Sequence, residues 1–138
     1  MNKAAIFDFN GTLFNDSLIH RHIWKMLYTK LFPTSNNFKE VFAQVFGASN
    51  LEIIEHFYKV NHLSIDPKEA IELSKEKERL YREYCIENDL CHLTKGAEAL
   101  FKELIKQDYH LNIATASIKE NVDFFFNNFP LRPYFKRE

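Results

Sequence analysis

The run Ala4-Ala5-Ile6-Phe7-Asp8-Phe9-Asn10-Gly11-Thr12-Leu13 constrains the fold more than any other stretch of this chain. A short apolar segment, Lys3 to Phe9, reads as a buried strand because it is stopped at once by a glycine turn. The strand delivers the Asp8 carboxylate to its C-terminal end. In an open α/β sheet that end is where ligand crevices form. A carboxylate placed there serves as a covalent nucleophile or as a ligand for a hard cation. An ordinary turn-capping Asp has the same local look, so the rest of the chain must decide.

Beyond Leu13 the chain alternates long helical patterns with one further strand. Asp16 or Ser17 is placed to cap a helix whose apolar positions Leu18, Ile19, Ile23, Trp24, Leu27, Tyr28 and Leu31 recur at helical spacing, and Pro33 ends it. Helices are expected over Asn37 to Phe46, with Gly47 as breaker, and over Asn50 to Val60. Asp66-Pro67 starts a fourth that runs to about Glu87. Its residues Lys75, Glu76, Lys77, Glu78 and Arg79 read as a charged outer face. An amphipathic helix is expected over Thr94 to Gln107, a strand over Tyr109 to Ala114 closed by Thr115-Ala116-Ser117, and a helix over Ile118 to Asn128. Strand, helical insert, helix, strand, helix is the opening of an open α/β sheet with helices inserted after its first strand.

Composition narrows the function classes. A chain of 138 residues, 46% hydrophobic and 27% charged, suits one domain or a small domain with a lobe. A net charge of −1 gives no reason to expect nucleic acid or an acidic membrane surface. Asp8 interrupts the one apolar stretch at the N-terminus, so no signal peptide is read there, and no run is long enough to span a membrane. Cys85 and Cys91 fit neither a Cys-x-x-Cys motif nor a metal set and read as reduced thiols of a cytoplasmic protein. Fourteen phenylalanines imply a bulky core or a sticky surface.

The first run resembles the Asp-x-Asp-Gly-Thr-Leu motif of phosphatases in the haloacid dehalogenase-like (HAD) superfamily, with Asn10 in place of the second Asp. The likeness extends to the β-phosphoglucomutase and phosphoglycolate-phosphatase-like group with a small helical cap. His20, Trp24 and Lys25 match that group's His, Trp and Lys, Lys77 and Tyr81 match its Lys-x-x-x-Tyr, and Thr115-Ala116-Ser117 resembles its Ser-Ala-Ser. The resemblance implies an α/β fold: a partial Rossmann-like HAD core from residues 1–15 and 90–138, with an inserted four-helix cap over residues 16–89. It implies a hydrolase acting on phosphate monoesters of small metabolites through an aspartyl-phosphate intermediate. Asp8 would be the nucleophile and Asn10 the acid/base position. Gly11, Thr12, Thr115 and Ala116 would bind the phosphoryl group. His20 and Lys77 would contact the substrate from the cap, and Asp8 with the carbonyl region of Asn10 would hold Mg2+.

Read from the residues alone, Thr115 is equally a strand-end hydroxyl that satisfies backbone, His20 a helix-surface histidine, and Lys77 part of a solvated charge run. Two departures weigh on the chemistry. Asn10 cannot ionise, so it cannot pass a proton to a leaving group. Because Gly11 follows it, Asn10 is also prone to deamidation, which would install an acid there. Asn50 stands where the mutase pattern has a phosphate-gripping Arg. The family's later Lys and acidic metal motifs are expected beyond Glu138, which reads as C-terminal truncation and impaired turnover. A first strand lacking one neighbour would leave an open apolar edge. That edge carries the alternative reading, a non-catalytic assembly module that pairs with a second copy or a complementary C-terminal chain.

Overall fold

Strands β1 (Lys3–Phe7) and β2 (Tyr109–Ile113) pair in parallel, with Lys3 opposite Tyr109 and Phe7 opposite Ile113. They form the two-stranded sheet of a computed structural model that describes residues 2–136. Between them come α1 (Ser17–Leu31), α2 (Phe38–Ala43), α3 (Asn50–Val60), α4 (Pro67–Glu87) and α5 (Ala97–Lys106); α6 (Lys119–Asn128) comes after β2. A parallel pair requires a crossover, and α5 is its last leg. The α/β class with four helices inserted after the first strand is therefore the observed architecture. Among the described residues, no helix is long and apolar enough to cross a membrane.

The chain divides into two compact units, one made of Met1–Leu18 with Tyr84–Glu138 and the other of Ile19–Glu83. In the first, aromatic rings line the packing of the sheet. Phe7 meets Phe101 edge-on at 5.2 Å and Phe135 at 6.1 Å, while Phe9 stacks on Phe125 at 4.2 Å. In the second, Trp24, Leu27 and Tyr28 of α1 pack with Phe38, Val41, Ile53, Ile54, Phe57 and Ala70. The hydroxyl of buried Tyr28 donates to Asn37 and accepts from Asn61, so this apolar core leaves it satisfied. Eleven of the fourteen phenylalanines are buried, which settles their role as core volume.

Local structure corrects four readings. The first strand is shorter, and it is not buried: Lys3, Ala4 and Ile6 are exposed, Ala4 and Ile6 on the face opposite to Phe7. Only Phe9, beyond the strand, is fully enclosed. Helix α2 ends at Ala43 rather than Phe46, since Val45 and Ala48 close tighter turns onto Phe42 and Val45, leading to Gly47 at φ +84°. Helix α5 begins at Ala97 rather than Thr94. Gly96 holds a left-handed φ of 88°, and Thr94 donates its N–H and hydroxyl to Leu13 and Thr12 instead. Finally, α4 does not turn its whole charge run outward. Arg79 pairs with Glu76 and Glu83 at the surface, but Lys77 and Glu78 are buried.

Candidate active site at the strand ends

The parallel register brings the C-terminal ends of β1 and β2 side by side, and the Ala114 N–H donates to the Phe7 carbonyl at 2.8 Å just past them. Beyond β1 the chain coils on itself. The Phe9 carbonyl accepts from Thr12, Leu13 and Phe14 at 3.1, 2.9 and 3.0 Å. Gly11 makes the turn at φ +76°, a backbone conformation that a side chain would strain.

Asp8 stands at the mouth of this loop with its side chain exposed. Its Oδ1 accepts the Phe9 N–H at 2.8 Å, which fixes the carboxylate's orientation. The N–H groups of Gly11 and Thr12 also donate inside the loop, Gly11 to Phe14 O at 2.7 Å and Thr12 to Phe9 O. A phosphoryl group would be cradled here by exchanging those internal acceptors for its own oxygens.

Asn10 lies at the centre of a polar set. Its Nδ2 donates to Asp16 Oδ2 at 2.6 Å, and its Oδ1 accepts from Ser117 Oγ at 2.5 Å, with Thr115 Oγ1 at 3.5 Å. Thr115 Oγ1 in turn accepts the Ser117 N–H at 3.1 Å, and Ala116 between them is exposed. Asp16 Oδ1 accepts the Gly11 N–H at 3.1 Å. The structure thus joins Asn10, Gly11, Asp16, Thr115 and Ser117. Asp16 is the member that sequence reasoning assigned elsewhere, as a helix cap. It lies six residues from Asn10 in irregular backbone, where no helical or strand period links them.

His20 and Lys77 meet inside the helical unit. Lys77 Nζ lies 2.8 Å from His20 Nδ1 and 2.9 Å from Glu78 Oε1, and 5.2 Å above the Trp24 ring. The His20 ring stacks on buried Tyr81 at 4.3 Å. Lys77 therefore belongs to a packed, charge-compensated cluster and not to a solvated run. Asn50, in place of the expected Arg, donates to Ser74 and Glu78 and ties α3 to α4. A cavity of about 600 Å³ also lies in this unit, lined by Val45, Phe46, Glu52 and His56, and it shares no residue with either set.

Among the described residues, no group of three or more His, Cys, Asp and Glu side chains is arranged to hold a metal ion. Asp8 and the Asn10 carbonyl would fill two positions of an octahedral Mg2+ shell.

A parallel strand pair followed by a carboxylate after β1 and two hydroxyls after β2 that meet Asn10, with helices inserted after the first strand, defines a class. A model of the haloacid dehalogenase-like hydrolase family matches residues 5–137, and the chain belongs to that family. A HAD hydrolase of family IA, variant 3, from Entamoeba histolytica is 33% identical with a TM-score of 0.82, over 97% of this chain and 58% of that one. β-Phosphoglucomutase from Clostridium difficile is 19% identical with a TM-score of 0.73, over 99% of this chain and 60% of its own. The HAD-hydrolase YfnB from Bacillus subtilis, solved bound to magnesium, is 17% identical with a TM-score of 0.69, over 98% and 63%. The last two show the fold alone. This chain spans about three fifths of the length of these relatives. No curated protein matches its sequence.

Proposed function

We propose that the chain carries the nucleophile half of a phosphomonoester hydrolase site, with Asp8 attacking phosphorus. The observation that supports this most is Asp8 itself: an exposed carboxylate at the end of β1, oriented through Oδ1 by the Phe9 N–H, which leaves Oδ2 to attack. Oδ2 forms a bond to phosphorus as the bond to the ester oxygen breaks. The departing alkoxide takes its proton from solvent, because Asn10 has none to give. Water then attacks the aspartyl phosphate, releasing inorganic phosphate and the carboxylate. Thr115, Ala116, Gly11 and Thr12 are the proposed phosphoryl ligands. His20 and Lys77 are the proposed substrate contacts from the helical cap, with buried Lys77 orienting the half-buried His20 ring.

Mg2+ is the proposed cofactor, by family and by the magnesium-bound relative. When bound it would offset the repulsion between phosphate and Asp8. The donors among the described residues complete only part of its shell, so turnover by this chain alone is expected to be weak. The substrate class is a small phosphorylated metabolite, in keeping with the phosphorylated sugar named for the mutase relative. The test is phosphate release from a panel of sugar phosphates with and without Mg2+. Release that disappears in Asp8→Asn supports the reading; release unchanged in that variant overturns it.

A second reading, assembly with another copy of the chain, is favoured by one observation. Ile6 on β1 is 69% exposed beside an edge with no strand partner among the described residues.

A further inference from the structure

The coil that follows Asp8 is held from two sides, and only one of them is apolar. On the inner side Phe9, Leu13 and Phe14 are buried, the Phe9 ring stacks on Phe125 at 4.2 Å, and Phe14 meets Phe129 at 4.8 Å. Packed side chains fix where these residues lie. They leave a peptide plane able to turn about the two soft dihedrals that flank it. The planes matter here. The N–H groups of Leu13 and Phe14 converge on the Phe9 carbonyl at 2.9 and 3.0 Å, and the Phe9 N–H fixes Asp8 Oδ1 at 2.8 Å. In a trans peptide the carbonyl points away from the N–H, so these two planes present the oxygens of Thr12 and Leu13 on their far side. Thr94 meets both: its hydroxyl donates to Thr12 O at 2.6 Å and its N–H to Leu13 O at 2.7 Å. It does so from 82 residues beyond Thr12, and its own carbonyl is tied to the Ala97 N–H at 3.0 Å. A flip of the Thr12–Leu13 plane would break the bond at Phe9 and the bond at Thr94 together. A donor on the carbonyl end of an amide also strengthens its N–H as a donor.

We propose that Thr94 is a positioning residue for the nucleophile: its hydroxyl locks the Thr12–Leu13 peptide plane, and through the Phe9 carbonyl that plane holds the residue whose N–H aims Asp8. Thr94 acts through the coil and not on phosphorus. A consequence, which rests on the aspartyl-phosphate reading, is that losing the hydroxyl lowers kcat and leaves KM nearly unchanged, since the carboxylate is still present but less well aimed.

The test compares the full natural chain with Thr94→Val, which keeps the shape and the backbone N–H but loses the hydroxyl, and Thr94→Ser, which keeps the hydroxyl. Thr94 is exposed, so neither change displaces a core atom. Amide hydrogen exchange read by NMR follows Leu13 and Phe9 against the amides of α6 in the same unit. In Thr94→Val the Leu13 amide is expected to exchange about fivefold faster, as loss of one neutral hydrogen bond predicts. Phe9 is expected to follow in the same direction, with α6 changed by less than about twofold. Thr94→Ser is expected to match the natural chain. Unchanged exchange at Leu13, equal acceleration throughout the unit, or a serine variant that behaves like the valine one overturns the proposal. Phosphate release from p-nitrophenyl phosphate with Mg2+ is measured on the same chains. Thr94→Val is expected to lower kcat about tenfold while KM moves by less than about twofold. If release occurs and Thr94→Val leaves kcat unchanged, the hold does not reach Asp8 and the proposal falls. If the exchange pattern appears without phosphate release from any chain, the hold on the coil stands and the aspartyl-phosphate reading falls.

Discussion

Asn10 precedes a glycine, the sequence context in which deamidation is fastest, and the structure opposes that reaction at both reacting atoms. Ring closure needs the Gly11 nitrogen to lose its proton and attack Asn10 Cγ, expelling Nδ2 as ammonia before water opens the ring. Here the Gly11 N–H is held by Phe14 O and Asp16 Oδ1, and Nδ2 by Asp16 Oδ2. Peptide mass analysis of the folded chain is expected to find Asn10 intact, while chain unfolded in urea deamidates at least about tenfold faster. Equal rates would show that these bonds do not protect it. A second residue-scale effect concerns Cys85, a free buried thiol. Burial, with Cys91 and Asp16 nearby, pushes it up from 9.0 to about 12. The unfolded thiol ionises near its ordinary value while the folded one keeps its proton. Its contribution is therefore fully present below about pH 9 and lost as pH rises toward 12. Thermal melts stepped upward from pH 9.0 should fall less steeply for Cys85→Ala than for the natural chain.

At the scale of elements, α4 shows how a helix can bury charge. Ala70, Lys77, Glu78, Tyr81 and Cys85 are its buried positions and fall at helical spacing. Lys77 occupies that stripe because His20, Glu78 and the Trp24 ring meet its ammonium. Removing the cation would take Lys77 from beside Glu78, which is 8% exposed and also accepts from Asn50. Lys77→Met is expected to cost about 3–5 kcal/mol in urea unfolding. Replacing Glu78 by Gln in the same chain should return part of that loss, since the charge that faced the lost cation goes with it. A cost below about 1 kcal/mol, as for an exposed pair, would place Lys77 back on a solvated face.

For the whole molecule, the exposed edge of β1 is the feature with a consequence in solution. Phe7 turns toward Phe101 and Phe135, so the alternate residue Ile6 is left on the other side of the sheet with 69% of its surface open. In the assembly reading, sedimentation velocity shows concentration-dependent dimers that Ile6→Lys shifts to monomer. A chain that stays monomeric at the highest concentration tested removes that reading and leaves the hydrolase proposal alone.

The sequence by itself determined the elements that have a period or a stop signal. The apolar run ending in Asp8-x-x-Gly11 announced a strand and turn, Asp66-Pro67 a helix start, and the stripe through Trp24, Leu27 and Tyr28 a buried face. The family was legible for the same reason, since its first motif is local. Tertiary structure decided what local pattern does not encode. The exposure of Ile6 on β1 follows from which face of the sheet Phe101 and Phe135 cover. The burial of Lys77 follows from rings contributed by other turns of the helical unit. The late start of α5 follows from Thr94 bonding to Thr12 and Leu13, about eighty residues earlier. The Asn10–Asp16 pair is the sharpest case. Both residues were visible, but a loop has no period, so only the folded coil around the Phe9 carbonyl turns that amide toward that acid.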